Sequence, residues 1–318
     1  MSLRLSFFAA AASLALLTGC EPALPPAPPP QQQQAGATVP MRPDPPPVRR
    51  SDESRALSAY YQRLQQDLLA RGLLRTDGGG PDTPYGAREI LANFERIAFY
   101  DEYARGSGLR RASSEPTRLK RWPGPVRMTM EFGATVDRAQ RTRDENELRS
   151  FAARLARVTR HPISVSDPAS ANFHVLVMGE DDRGEAIDRI RQLVPNIDPA
   201  ALDIFRRLPR SIHCLVLAFS AEPDGYDYAQ AIAFIRAEHP DLMRRSCIHE
   251  EVAQGLGLPN DSPRARPSIF NDDDEFALLT SHDEVLLRIL YDPRLAPGMS
   301  LDAARPILRD IVNDLGQG

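Results

Sequence analysis

The stretch richest in chemical potential in this 318-residue chain runs from Cys247 to Asp261 and reads Cys-Ile-His-Glu-Glu-Val-Ala-Gln-Gly-Leu-Gly-Leu-Pro-Asn-Asp. On a helix, Ile248, Val252 and Leu256 fall four apart and face a core, while Glu250 and Gln254, also four apart, project together from another face. Gly257 stands where it can end that helix in a left-handed conformation and so turn Asn260 back towards those two side chains. Three oxygen donors would then converge. Such a set suits zinc poorly, because zinc prefers imidazole, thiolate and carboxylate, and two of the three donors are neutral amides. An anionic ligand at Glu250 would further weaken the polarisation that makes a zinc-bound water acidic. Calcium accepts oxygen donors but activates water weakly. The expectation is a site without a cofactor and without catalysis, with zinc or calcium as the alternatives.

The elements that must position this segment follow from apolar spacing. From Ser51, an N-cap residue, Leu57, Tyr60, Tyr61, Leu64, Leu68 and Leu69 mark one helix face, ending near Gly72. After the Gly-Pro breaker at 78–81, a second periodic run at Ala87, Ile90, Leu91, Phe94, Ile97 and Ala98 predicts a second helix packed on the first. These form a helical segment over residues 51–120. Its last part, Gly106 to Arg121, carries Arg110, Arg111, Arg118, Lys120 and Arg121, which could meet anionic lipid or cell wall or form a solvated loop. From residue 121 the pattern changes to alternation: Val126, Met128, Met130 and Phe132 predict a half-buried strand. A helix is expected from near Asp144 through Leu148, Phe151, Ala152, Leu155 and Val158. Further strands are expected at Ile163–Val165, Phe173–Met178, Cys214–Phe219 and around Ala231–Ile235, with helices at 184–193 and 199–208. Phe173–Met178 and Cys214–Phe219 are apolar enough to be central strands. The fold class is therefore α+β: a mixed sheet carrying helices over residues 121–318, preceded by a short N-terminal helical segment.

The amino-terminal end carries an address. Arg4 precedes an apolar run from Leu5 to Leu17, then Leu17-Thr18-Gly19-Cys20, a lipoprotein cleavage box. Residues 1–19 read as a cleaved signal peptide, Cys20 as the site of lipidation and the membrane as the first partner; an ordinary signal peptide with a chance cysteine is the alternative. Glu21, rather than an aspartate, favours the outer over the inner membrane of a bacterial envelope, with the protein facing the periplasm. Residues 20–50 are rich in proline and glutamine and form a spacer without a core. In that oxidising compartment Cys214 and Cys247, the two cysteines left once Cys20 is lipidated, are expected to form a disulfide, with two buried thiols as the alternative. A net charge of −4 argues against nucleic acid as a partner.

The Cys247–Asp261 segment resembles the long zinc motif of the metzincin metalloproteases, HExxHxxGxxHD, with every histidine replaced. Glu250, Gln254 and Asn260 stand at the three ligand positions, Glu251 at that of the catalytic glutamate, Gly257 at the glycine and Asp261 at the closing aspartate. Ser268-Ile269-Phe270 is similar to the methionine turn, with Phe270 for methionine, and 279–291 is similar to the closing helix of the matrixin branch. A register with His249-Glu250 at the first two positions leaves Ala253 and Leu256 at those of the second histidine and the glycine, and explains fewer residues. Through RALSAYYQRLQQDLLARGLLRTD, ANFERIAFYDEY, EEVAQGLGLPND and SHDEVLLRILYDPRLAPGM, the chain also resembles a bacterial envelope family, domain of unknown function 2927, over nearly everything after the spacer.

The resemblances imply a zincin-like domain and a non-catalytic binding or structural role on a protein, peptide or cell-wall component. The alternative they imply is a residual metal-dependent peptidase with Glu251 as general base. Other motifs carry less. Asn271-Asp272-Asp273-Asp274-Glu275 lacks the spacing of a calcium-binding loop and reads as a solvated turn. No two histidines stand four apart as a helical metal site would need, and no phosphate loop, dinucleotide fingerprint or serine-hydrolase elbow occurs.

Overall fold

A computed structural model describes residues 49–102, 114–222 and 224–316. The expected signal peptide, Cys20 and the spacer up to residue 48 lie outside the described residues, as do Arg110 and Arg111. No helix among the described residues is long and apolar enough to cross a membrane.

Five strands form one sheet. The alternating segment becomes β1 (Val126–Phe132), followed along the chain by β2 (Ile163–Val165), β3 (Phe173–Met178), β4 (Cys214–Ser220) and β5 (Tyr228–Arg236). Their spatial order is β2-β1-β3-β5-β4, with β4 antiparallel to β5 and every other pair parallel. The register places Met130, Val175, Ala233 and Val216 in one row across the sheet, all towards the same core. All six residues of β3 are buried, as the unbroken apolar run requires of a strand covered on both faces. Burial of each large aliphatic side chain in such a strand contributes roughly 1.5–3 kcal/mol.

Helices cover both faces. On one side pack α2 (Ala87–Ala98), α3 (Arg138–Thr159), α6 (Asp241–Gly255), α7 (Ser281–Leu290) and α8 (Leu301–Gly316). On the other pack α4 (Arg183–Leu193) and α5 (Pro199–Arg206), through Ala186, Ile190, Leu202 and Phe205 against Leu176, Ile232 and Phe234. Helix α1 (Asp52–Ala70), capped by the Ser51 hydroxyl accepting from the Ser54 N–H, packs through Tyr61 and Leu68 against Met243, Ala277 and Leu278.

Four expectations change. First, α1 and α2 do not form a packed pair: Phe94 and Ile97 of α2 join the main core beside α7 and α8, while α1 sits in a separate cluster, because each helix finds a larger apolar surface elsewhere. Second, β4 lies at the sheet edge rather than its centre, although its apolar faces are both covered. Third, α3 begins at Arg138, not near Asp144: Asp137 accepts from the Gln140 N–H and starts the helix through a polar stretch that carries no apolar period. Fourth, two of the basic residues of the 106–121 link are structural. Lys120, 3 % exposed, pairs with Asp101, and the Arg121 guanidinium donates to the carbonyls of Leu290, Asp292 and Leu295 at the end of α7.

Candidate binding cleft

Helix α6 is held at both ends. Near its start the Arg244 Nε donates to both oxygens of Asp144 on α3 at 2.8 and 2.7 Å, and its other nitrogens reach the His239 carbonyl and Asp241. Both partners of the Arg244–Asp144 pair are 2 % exposed, so removing either would strand a buried charge. At the far end Trp122 Nε1 donates to the Gly255 carbonyl and the Tyr291 hydroxyl to that of Leu256, each at 2.9 Å, satisfying carbonyls the helix cannot. Gly257 then turns the chain at φ +128°, where a Cβ would also run into the Lys120 carbonyl.

The disulfide between Cys214 and Cys247 ties the start of β4 to the middle of α6, with Cα atoms 5.9 Å apart. Between strand and helix opens a cleft of about 390 Å³. One wall is the unbroken run from Ser211 to Ala218; the floor is Glu250, Glu251 and Gln254. Asp261, Asp272 and Asp274 border it, with Glu102.

Glu251 is 4 % exposed and its Oε2 has no hydrogen-bond partner. Burial raises its pKa well above the ordinary carboxylate value, and the charges of Glu250, Asp261 and Glu102 add to that rise. Glu250 is raised in the same way, by burial first and then by Asp261, Glu102, Asp272 and Asp274.

Glu250, Glu251 and Gln254 all line the cleft, but Asn260 does not join them. Its Nδ2 donates to the Arg96 carbonyl at 2.9 Å, and the next residue, Asp261, reaches the cleft, accepting from Gln254 Nε2 at 3.4 Å. The reason lies in the turn after Gly257, which commits Asn260 to closing against the end of α2. Oxygens of Glu250 and Glu251 and the Cys214 sulfur all lie within 4.8 Å of one another, but that sulfur is bonded to Cys247 and offers no thiolate. The donors on the floor are thus oxygens, which does not fit a catalytic zinc.

His249 faces α3 rather than the cleft: its Nδ1 accepts from the Leu279 N–H at 3.0 Å, its Nε2 lies 2.9 Å from Glu147, and its ring stacks on Phe151. Phe270 is fully buried in the main core, and Ile269 beside it lines the cleft. The acidic run after Phe270 is an exposed turn, as its composition suggested, and Asp272 and Asp274 also border the cleft. Neither that return nor the arrival of Glu102 has a local signal; both depend on packing between distant segments.

The family profile described as protein of unknown function (DUF2927) matches residues 87–310. No curated protein and no solved structure matches the chain.

Proposed function

The chain belongs to the DUF2927 family of proteins of unknown function, and for it we propose a binding role: a lipid-anchored envelope protein whose zincin-like domain holds an extended peptide segment without cutting it. One observation carries the reading. The two faces of β4 are covered, Cys214, Val216 and Ala218 towards α6 and Leu215, Leu217 and Phe219 towards α4 and α5, yet all seven of its residues stay half-exposed. What remains open is the strand's hydrogen-bonding edge, and that edge lines the cleft. An unpaired edge beside a groove is a template for one added strand, bound through main-chain hydrogen bonds.

The motif likeness and the run of an edge strand beside α6 support the zincin-like reading. The non-catalytic part rests on chemistry: the oxygen donors of the cleft floor lack the imidazole ligands that a zinc peptidase uses. Attachment to the membrane follows from the Leu17-Thr18-Gly19-Cys20 box.

Peptides selected on the full-length protein from a random displayed library provide the test. The expected result is slower amide exchange across Leu215–Phe219 when peptide is bound, with the peptide recovered at its original length. Protection confined to another surface would remove the edge-strand reading. Peptide cleavage that disappears in Glu251→Ala would replace it with the peptidase alternative.

A further inference from the structure

We propose that Glu250, Glu251 and Asp261 bind a hard divalent cation, calcium foremost, on the floor of the cleft. Among the described residues, those lining the cleft include six carboxylates, Glu102, Glu250, Glu251, Asp261, Asp272 and Asp274, and no lysine or arginine. Acidic clusters on open surfaces are common and mean little, since water and salt screen them. This one differs in a specific atom: Glu251 Oε2, on a side chain that is 96 % hidden by the protein, meets no donor. Buried polar atoms are nearly always partnered, so an orphan facing a cleft marks a place for a ligand. An isolated buried carboxylate costs several kcal/mol unless it is protonated, paired or coordinated.

The spacing suits coordination. Two oxygens bound to one calcium at about 2.3–2.6 Å each can lie as much as about 5 Å apart. Oxygens of Glu250 and Glu251 fall inside that span, within 4.8 Å. Asp261 borders the same cleft, where its carboxylate accepts from Gln254 Nε2. Calcium tolerates irregular sets of carboxylates and water, whereas magnesium demands near-octahedral geometry and keeps its waters. Zinc would want the Cys214 sulfur, which the disulfide withholds. The donor set is also not the one the motif spacing suggests, because Gln254 is turned to Asp261 and Asn260 to Arg96.

This inference does not rest on peptide binding. Its test uses calcium alone on the full chain in detergent micelles, read by calorimetric titration and thermal melting at fixed pH. Calcium should bind once per chain and raise the melting temperature, with a smaller rise from magnesium. Glu251→Gln should fold like the parent when both are free of metal, and its calcium affinity should fall at least tenfold. Asp261→Asn should fold like the parent and show the same loss of affinity. Absence of calcium binding by the parent overturns the proposal, as does parental affinity in both variants. Failure of edge-strand peptide binding, measured without calcium, leaves the cation site standing.

Discussion

His249 shows how one residue can sit beside a site and serve the scaffold instead. Because the Leu279 N–H donates to Nδ1, that nitrogen carries no proton, so Nε2–H donates to Glu147 and the ring is neutral. Burial lowers its pKa below the ordinary 6.5, more than the neighbouring Glu147 raises it. The unfolded chain then takes up a proton near pH 6.5 that the folded protein refuses, so stability is full above that pH and falls as pH drops towards the folded pKa. His161, His213 and His239 are shifted in the same direction by burial and add to the same acid-side loss. Glutamine at position 249 keeps a donor and an acceptor but does not titrate. His249→Gln should therefore shrink the fall in unfolding free energy, measured by urea, between about pH 7 and pH 5. An unchanged fall would mean that this ring is not the neutral acceptor its geometry indicates. The sequence identified His249 as a neighbour of the motif; its partner Glu147, 102 positions upstream, only the fold could supply.

At the scale of elements, the turn that follows α6 depends on one carboxylate. Asp283, in the first turn of α7 and fully buried, accepts from the Ser268 hydroxyl at 2.6 Å, the Ile269 N–H at 3.1 Å, and the N–H and hydroxyl of Thr280 at 2.9 and 2.7 Å. It caps its own helix and pins Ser268–Phe270, whose Ile269 lines the cleft. Asp283→Ala would leave these donors buried without an acceptor, and a loss of about 2–4 kcal/mol is expected from urea unfolding. A loss under about 1 kcal/mol would show that water or a rearranged turn replaces the carboxylate. The elements themselves were largely legible: alternation marked β1, the unbroken apolar run marked β3, and the four-residue spacing of Ile248, Val252 and Leu256 marked the buried face of α6. Position within the sheet was not legible for β4, since a strand sandwiched between two helical layers is equally apolar at the centre and at the edge. The C-terminal helix α8, buried through Leu301, Ala304, Leu308, Ile311 and Val312, shows the same spacing signal but formed no part of the sequence-level expectation. Asn260 failed for a different reason: its spacing allowed convergence, but the Arg96 carbonyl, 164 positions away, claimed its amide.

Across the whole molecule, the cleft is the seam between two units of packing: an edge strand whose far face belongs to α4 and α5, and a helix rooted in the main core. The sheet joins β4 to the rest through β5 alone, so the strand's distance from α6 has one covalent control, the Cys214–Cys247 bridge. The bridge closes a loop of 33 residues that contains β5 and the first half of α6. Loop-closure entropy for that length gives about 3–4 kcal/mol of stabilisation, drawn mostly from the unfolded chain. Replacing both cysteines by alanine should lower the unfolding free energy by about that amount. A purely entropic tether would do no more than this, leaving native-state exchange near β4 changed only in proportion to global stability. If the bridge also sets the cleft, amides of Leu215–Phe219 should exchange faster than those of β3 by a larger factor in the variant than in the parent, because the edge can then part from α6 without global unfolding. Equal acceleration in both strands would assign the disulfide to stability alone and leave the width of the cleft to the packing of Val216 against Gly255.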